Sequence, residues 1–132
     1  MSSFIAEIKK IESVQTLHRV ELTCKGEPLT LVSLELDTKV QEGRSVQLYI
    51  KPSNIILSRS KHQDLSSANQ LPCTITSIKE GKILSNVKLN FSGIDLEAIV
   101  AATSVQKLQL DEAQEVYALI NESELSLSVM ED

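Results

Sequence analysis

The polar and apolar positions of the second half of the chain resolve into short strands. Leu71, Cys73 and Ile75 alternate with other residues, as do Val87, Leu89 and Phe91, the period of two expected of strands with one buried face. Gly93 supplies a turn, and a third strand follows around Leu96 to Val100. The pattern then changes. In Ala102-Thr103-Ser104-Val105-Gln106-Lys107-Leu108, Val105 and Leu108 stand three apart on one face with Thr103 or Ser104 as N-cap, which predicts a short helix. Glu115 to Ile120 and Leu125 to Val129 read as a fourth and a fifth strand, separated by Asn121-Glu122-Ser123-Glu124.

The same pattern occurs earlier in the chain. Phe4, Ile8, Ile11, Val20, Leu22, Gly26 and Leu29 match Leu71, Ile75, Ile78, Val87, Leu89, Gly93 and Leu96 at one offset (71 − 4 = 67). Further on, Val46, Leu48, Ile50, Ser53, Ile55 and Leu57 match Val116, Ala118, Ile120, Ser123, Leu125 and Leu127 at a second offset (116 − 46 = 70), so the first copy is three residues shorter in between. Two repeats are expected, at residues 1–60 and 65–130, each of five strands with a helical turn between the third and fourth. The expected fold is all-β: two tandem five-stranded OB-like barrels, each with a short helix. A barrel of roughly 60 residues buries too little surface to be robust alone, so the repeats are expected to pack on each other or in a homo-oligomer.

Composition narrows the function. The 132 residues are 42% hydrophobic, a folded-protein value, and only 3% aromatic with no Trp, so Val, Ile and Leu build the core. A net charge of −5 with no Lys/Arg cluster, and few rings to stack on, argues against nucleic acid. No apolar run approaches a membrane span, and the start MSSFIAEIKK lacks the order of a signal peptide, which predicts a cytoplasmic protein. Cys24 and Cys73 have neither CxxC spacing nor a nearby His and read as free buried thiols. His18 and His62 are isolated, and no catalytic constellation stands out, so an enzyme is not expected.

One stretch is ambiguous on composition alone. Leu65-Ser66-Ser67-Ala68-Asn69-Gln70-Leu71 suits a tether between repeats, and its small side chains equally suit a loop that offers backbone N–H groups to an anion. Through LSSANQLPCTITSIKEGKILSNVKLNF and LEAIVAATSVQKLQLDEAQEVYALINESEL the sequence resembles the Mop family of molybdate-binding domains, also grouped as TOBE domains. Repeats of that family open with Leu-Ser-Ala-Arg-Asn-x-Leu-x-Gly-x-Val and close with Val-x-Ala-x-Ile-Lys-Ala-Ser. The resemblance runs the length of the second copy; the first is weaker, but its Val46-Gln47-Leu48-Tyr49-Ile50-Lys51-Pro52-Ser53 looks like the closing motif intact.

The resemblance implies a binder of molybdate or tungstate, serving molybdenum storage, buffering or sensing, and assembled as a dimer or trimer with the anion at subunit interfaces. It also implies transporter or regulator proteins as partners. A tetrahedral dianion accepts hydrogen bonds and offers none, so its site must consist of donors. By motif position those donors are the loop Ser66, Ser67, Ala68 and Asn69, the closing motif Lys51, Pro52 and Ser53, its second-copy counterpart Ser123, and Ser104 at the helix start. The departures from the family pattern are specific. Ala68 stands where the family has Arg, Asn121 and Glu122 replace Lys-Ala, and only Met1, Ser2 and Ser3 precede Phe4, so the first copy lacks the loop. The surviving parts are split, a loop in the second copy and a lysine in the first, which predicts sites made between subunits at half the usual positions. The rival expectation is a TOBE-type interaction module that kept the fold and no longer binds.

Overall fold

The protein, a computed structural model describing residues 2–67 and 69–130, is built from ten strands in two five-stranded antiparallel sheets. The first half contributes β1 (Ser2–Val14), β2 (Leu17–Cys24), β3 (Glu27–Ser33), β4 (Ser45–Ile50), a 3-10 turn (Pro52–Asn54) and β5 (Ile56–Ser58). The second contributes β6 (Asn69–Lys79), β7 (Leu84–Phe91), β8 (Ile94–Ala101), α1 (Ala102–Lys107), β9 (Glu115–Ile120), a second 3-10 turn (Glu122–Glu124) and β10 (Ser126–Val129).

The sheets do not follow the repeats. One is ordered β10-β4-β1-β2-β3 and the other β5-β9-β6-β7-β8, so each repeat gives its last strand to the other's sheet. Leu127 pairs with Leu48, and Leu57 with Ala118. The exchange places the two 3-10 turns against each other, where Asn54 Nδ2 donates to Glu124 Oε2 at 3.0 Å. These two residues occupy equivalent repeat positions (54 + 70 = 124), so an approximate two-fold axis passes between them.

Local chemistry explains the bends. The β2–β3 and β7–β8 turns carry Lys25-Gly26 and Ser92-Gly93, all with φ between 48° and 92°, the primed geometry whose twist matches an antiparallel pair. Asn90 Oδ1 accepts from Gly93 N at 3.1 Å and fixes the second turn. Both long opening strands shift register at matching places, between Ile8 and Lys10 and between Ile75 and Ser77. At these bulges the strand bends, and Ile8 and Ile75, still opposite Leu22 and Leu89, donate on their other edge to Arg44 O and Gln114 O, each at 2.9 Å. One core joins the halves, with Phe4 and Phe91 meeting edge to face at 6.2 Å between ring centroids.

Three sequence expectations change. The sheets are not closed as barrels by hydrogen bonding: β5 and β10 are only three and four residues long, and no ladder links β5 to β8 or β10 to β3. The helix expected in each repeat forms only in the second. Residues 34–44 run as turns, where the shorter connection docks Val40 on the core from a single turn, Val40 N to Asp37 O. The N-cap of α1 is Ala101, with no side-chain cap, so Thr103 and Ser104 lie inside its first turn.

Cys24 and Cys73 are free and buried, as their spacing predicted. Burial pushes the Cys73 thiol up to about 12, opposed only by a hydrogen bond from the Ala118 backbone; the Cys24 thiol is raised by burial and lowered by the charge of Lys25. Since the thiolate is the reactive form, Cys73 is expected to resist alkylation at pH 8 in native protein and to react at once when the chain is unfolded in urea. The folded state keeps this proton after the unfolded chain has released it. The thiol's contribution to stability is therefore intact below the ordinary value of 9.0 and lost as pH rises toward about 12, which urea titrations across that range will register.

Candidate functional site

The exchange of last strands leaves an open seam in each sheet, and each seam is a crevice. In the second sheet, β5 and β8 flank a crevice of about 270 Å³ whose lining includes Ser53, Ile55, Leu57, Ile99, Val100, Ser104 and Leu108. Ser53 belongs to the first repeat and Ser104 to the second; the strand exchange brings them together. Neither hydroxyl has a partner among the described residues, and no charged residue lines this crevice. Ser104 is the third residue of α1 and Ser53 lies within the first 3-10 turn, so backbone geometry rather than loop chance sets both positions.

The matching seam of the first sheet, between β3 and β10, is larger at about 750 Å³ and has the opposite character. Ser123 lines it, together with Glu35 and Asp37, and no cation does. The Ser123 hydroxyl is already committed, donating to Asn121 Oδ1 at 3.1 Å, which also accepts from Ser123 N at 3.1 Å. Two carboxylates repel a dianion, so charge selects the smaller seam over the larger one for an anion. Sequence reasoning missed Glu35 and Asp37. The signal was present, since the first offset carries Ser104 onto Asp37 (104 − 67 = 37), but the three-residue shortening obscured which residues correspond.

Lys51 is exposed, precedes the first 3-10 turn with extended backbone, and has no ion-pair partner among the described residues. It lines a third crevice of about 280 Å³ with Tyr49, Asn54, Ser123 and Glu124, next to Pro52 and two residues from Ser53. Lys51 and Ser53 therefore face crevices on either side of one turn.

The loop residues have structural duties. Ser67 Oγ donates to Ile120 O at 2.9 Å, and Asn69 N donates to Ser67 Oγ at 3.4 Å. The Asn69 side chain, fully buried, spans to the other sheet: Thr30 N donates to its Oδ1 at 2.7 Å and its Nδ2 donates to Thr30 O at 2.8 Å. Ser2 does the same in the other repeat, its Oγ accepting from Glu97 N at 3.2 Å, at positions related by the first offset (69 − 67 = 2 and 97 − 67 = 30). Ser66 is exposed, and Ala68 lies outside the described residues. Within one chain the loop stands beside Asn121, because β6 pairs with β9, while Lys51 stands beside the start of β1.

Residues 65–127 match the TOBE domain family. This half of the chain is a TOBE domain. It contains both the loop and Ser104, whereas Lys51 and Ser53 lie in the preceding repeat, outside the matched TOBE segment. A relative of the TOBE-containing chain is the molybdate/tungstate import ATP-binding protein WtpC of Pyrococcus abyssi (strain GE5 / Orsay), 26% identical over 108 residues. The match covers 82% of this chain and 31% of that protein, so the chain spans about a third of the relative's length. Among solved structures, the cytoplasmic molybdate-binding protein ModG, in a form with molybdate bound, matches with a TM-score of 0.89 at 22% identity. The match covers 97% of this chain and 95% of ModG, and so extends the shared fold across the TOBE domain and the repeat before it.

Proposed function

We propose that the chain is a non-catalytic, cytoplasmic binder of molybdate or tungstate that holds one oxyanion per chain at the seam lined by Ser53 and Ser104. The observation that carries this reading is the meeting, across repeats, of two unpartnered hydroxyls in a crevice free of carboxylates. An oxyanion there is served by donors alone. The names borne by WtpC and ModG supply the ligand class. The two sheets act as OB-like barrels, the β5–β8 seam is the ligand mouth, and the site is completed between subunits of a dimer or trimer: a neighbour's loop around Ser66 and Ser67 brings backbone N–H groups, and Lys51 swings over the turn to bring the ammonium. Ala68 in place of the family's Arg is a mild change if that position contributes through its main chain. Storage, buffering or sensing of molybdenum is the use we assign to such a module, and association with a transporter is consistent with kinship to an import ATPase.

A second reading is favoured by one specific feature, the acidic seam with Glu35, Asp37 and a committed Ser123. If both seams are equally unfit, the protein is an interaction module that kept the TOBE fold. Isothermal titration with molybdate and tungstate, with sulfate as control, decides: one site per chain is expected, and no heat at high micromolar ligand selects the second reading. Lys51→Ala is expected to weaken binding by roughly tenfold to a hundredfold, the value of a charge-assisted contact. Asn121→Ala is expected to change affinity by less than about threefold, because its side chain serves the turn around Ser123. Equal losses from both variants refute the assignment of the site.

A further inference from the structure

A further crevice, separate from either seam, lies on the outer face of the second sheet. At about 800 Å³, it opens between the segment that follows β5 and the exposed faces of β6 and β9. Arg59 and Lys61 line it from the segment side; Thr74, Asn90, Tyr117 and Glu115 line it from the sheet.

The segment carrying the two cations is tightly braced. Gln70, buried at the start of β6, accepts from His62 N at 2.9 Å and donates to His62 O at 2.6 Å, a two-pronged clamp on the backbone of one residue. Ser58 Oγ meets His62 Nε2 at 2.9 Å, donates to Ser60 O at 2.7 Å and accepts from Ser60 N. The backbone on both sides of Arg59 and Lys61 is thus fixed over the sheet while their side chains are left unsatisfied. Neither has an ion-pair partner among the described residues, although Lys9, Lys10 and Arg19 are all paired with Glu.

The sheet side continues this character. Asn90 has its oxygen engaged by Gly93 N, which leaves its NH₂ as a donor, and Thr74 adds a hydroxyl. Two cations against the one carboxylate of Glu115 leave the crevice net positive in a chain whose charge is −5. Among the described residues the equivalent face of the first sheet has no such site: Glu7 and Gln47 stand where Thr74 and Tyr117 do (74 − 67 = 7; 117 − 70 = 47), and Lys9 pairs there with Glu7. The feature belongs to the connection between repeats and not to the fold they share.

At about 800 Å³ the crevice has room for more than a bare tetrahedral anion, within the range of pockets that take ligands with an organic body. Tyr117, half-buried, is the aromatic residue of the lining. We infer that this crevice binds a phosphate monoester with a planar ring, its phosphate between Arg59 and Lys61 and its ring against Tyr117, with Glu115 accepting from the ring or sugar.

The test is calorimetric titration of the full chain with 5′-AMP, with adenosine and inorganic phosphate as separate arms. AMP is expected to bind at least roughly tenfold tighter than either part, and the double variant Arg59→Ala/Lys61→Ala to lose roughly tenfold per cation removed. Both residues are exposed, so the variant is expected to keep its fold and its molybdate titration unchanged. This inference stands apart from the seam reading: AMP binding without molybdate binding leaves it intact. No heat from AMP at millimolar concentration, equal affinity for inorganic phosphate, or an undiminished double variant overturns it.

Discussion

Ser104→Asp is expected to lower affinity for molybdate by at least about a hundredfold. The substitution gives the β5–β8 seam the carboxylate that Asp37 already gives the β3–β10 seam. Loss of one donor to a charged ligand costs about 1.5–3 kcal/mol, and a fixed negative charge beside a dianion, even at an effective dielectric near 20, adds at least roughly another tenfold. The fold is expected to tolerate the change, because an acidic side chain in the first turn of α1 opposes no local charge and complements the helix dipole. Ser104→Ala removes only the donor and is expected to cost about tenfold. Titration calorimetry on the three proteins separates the two effects. Affinity for Ser104→Asp within about threefold of the unaltered chain would place the anion elsewhere and end the seam proposal.

Asn69→Leu is expected to destabilise the protein by about 3 kcal/mol. Thr30 lies on edge strand β3, with β2 on one side and no strand on the other, and the Asn69 carboxamide supplies both missing partners as a neighbouring strand would. Leucine keeps the branched outline of asparagine with slightly more bulk, and leaves a backbone N–H and C=O without partners at the junction between the sheets. Partial exposure of Thr30 lets water recover some of this, which keeps the cost below that of two fully buried orphans. Ser2→Ala, which removes a single 3.2 Å bond to Glu97, is expected to cost about 1 kcal/mol. Urea unfolding with an unchanged slope measures both. A loss below about 1 kcal/mol for Asn69→Leu would show that the bridge is dispensable.

The two variants bear on the question raised by residues 65–71, whether they tether or grip. Ser67 and Asn69 are bonded to Ile120 and to Thr30, so part of the stretch holds the two sheets together. Ser66 stays exposed and is left for a ligand or a neighbour. Gln70, which carried no expectation, clamps the segment before it.

Alternation, glycine positions and the two offsets determined the strands, because each depends on neighbours within a few residues or on comparing like with like. β9 runs from Glu115 to Ile120 as expected, the turn at Gly93 is where it was placed, and Cys24 and Cys73 are buried. The sequence also marked Ser53 and Ser104 as hydroxyls of interest. That they face one crevice was decided only in three dimensions. Strand pairing is set by which edges meet in space, so the passage of β5 and β10 to the opposite sheets left no local trace in the sequence. The same holds for charge: Glu35 and Asp37 are ordinary surface acids in the sequence, and only folding turns them into the lining of a seam that repels anions. Periodicity is a property of the chain, whereas a site is a property of the distances between its distant parts.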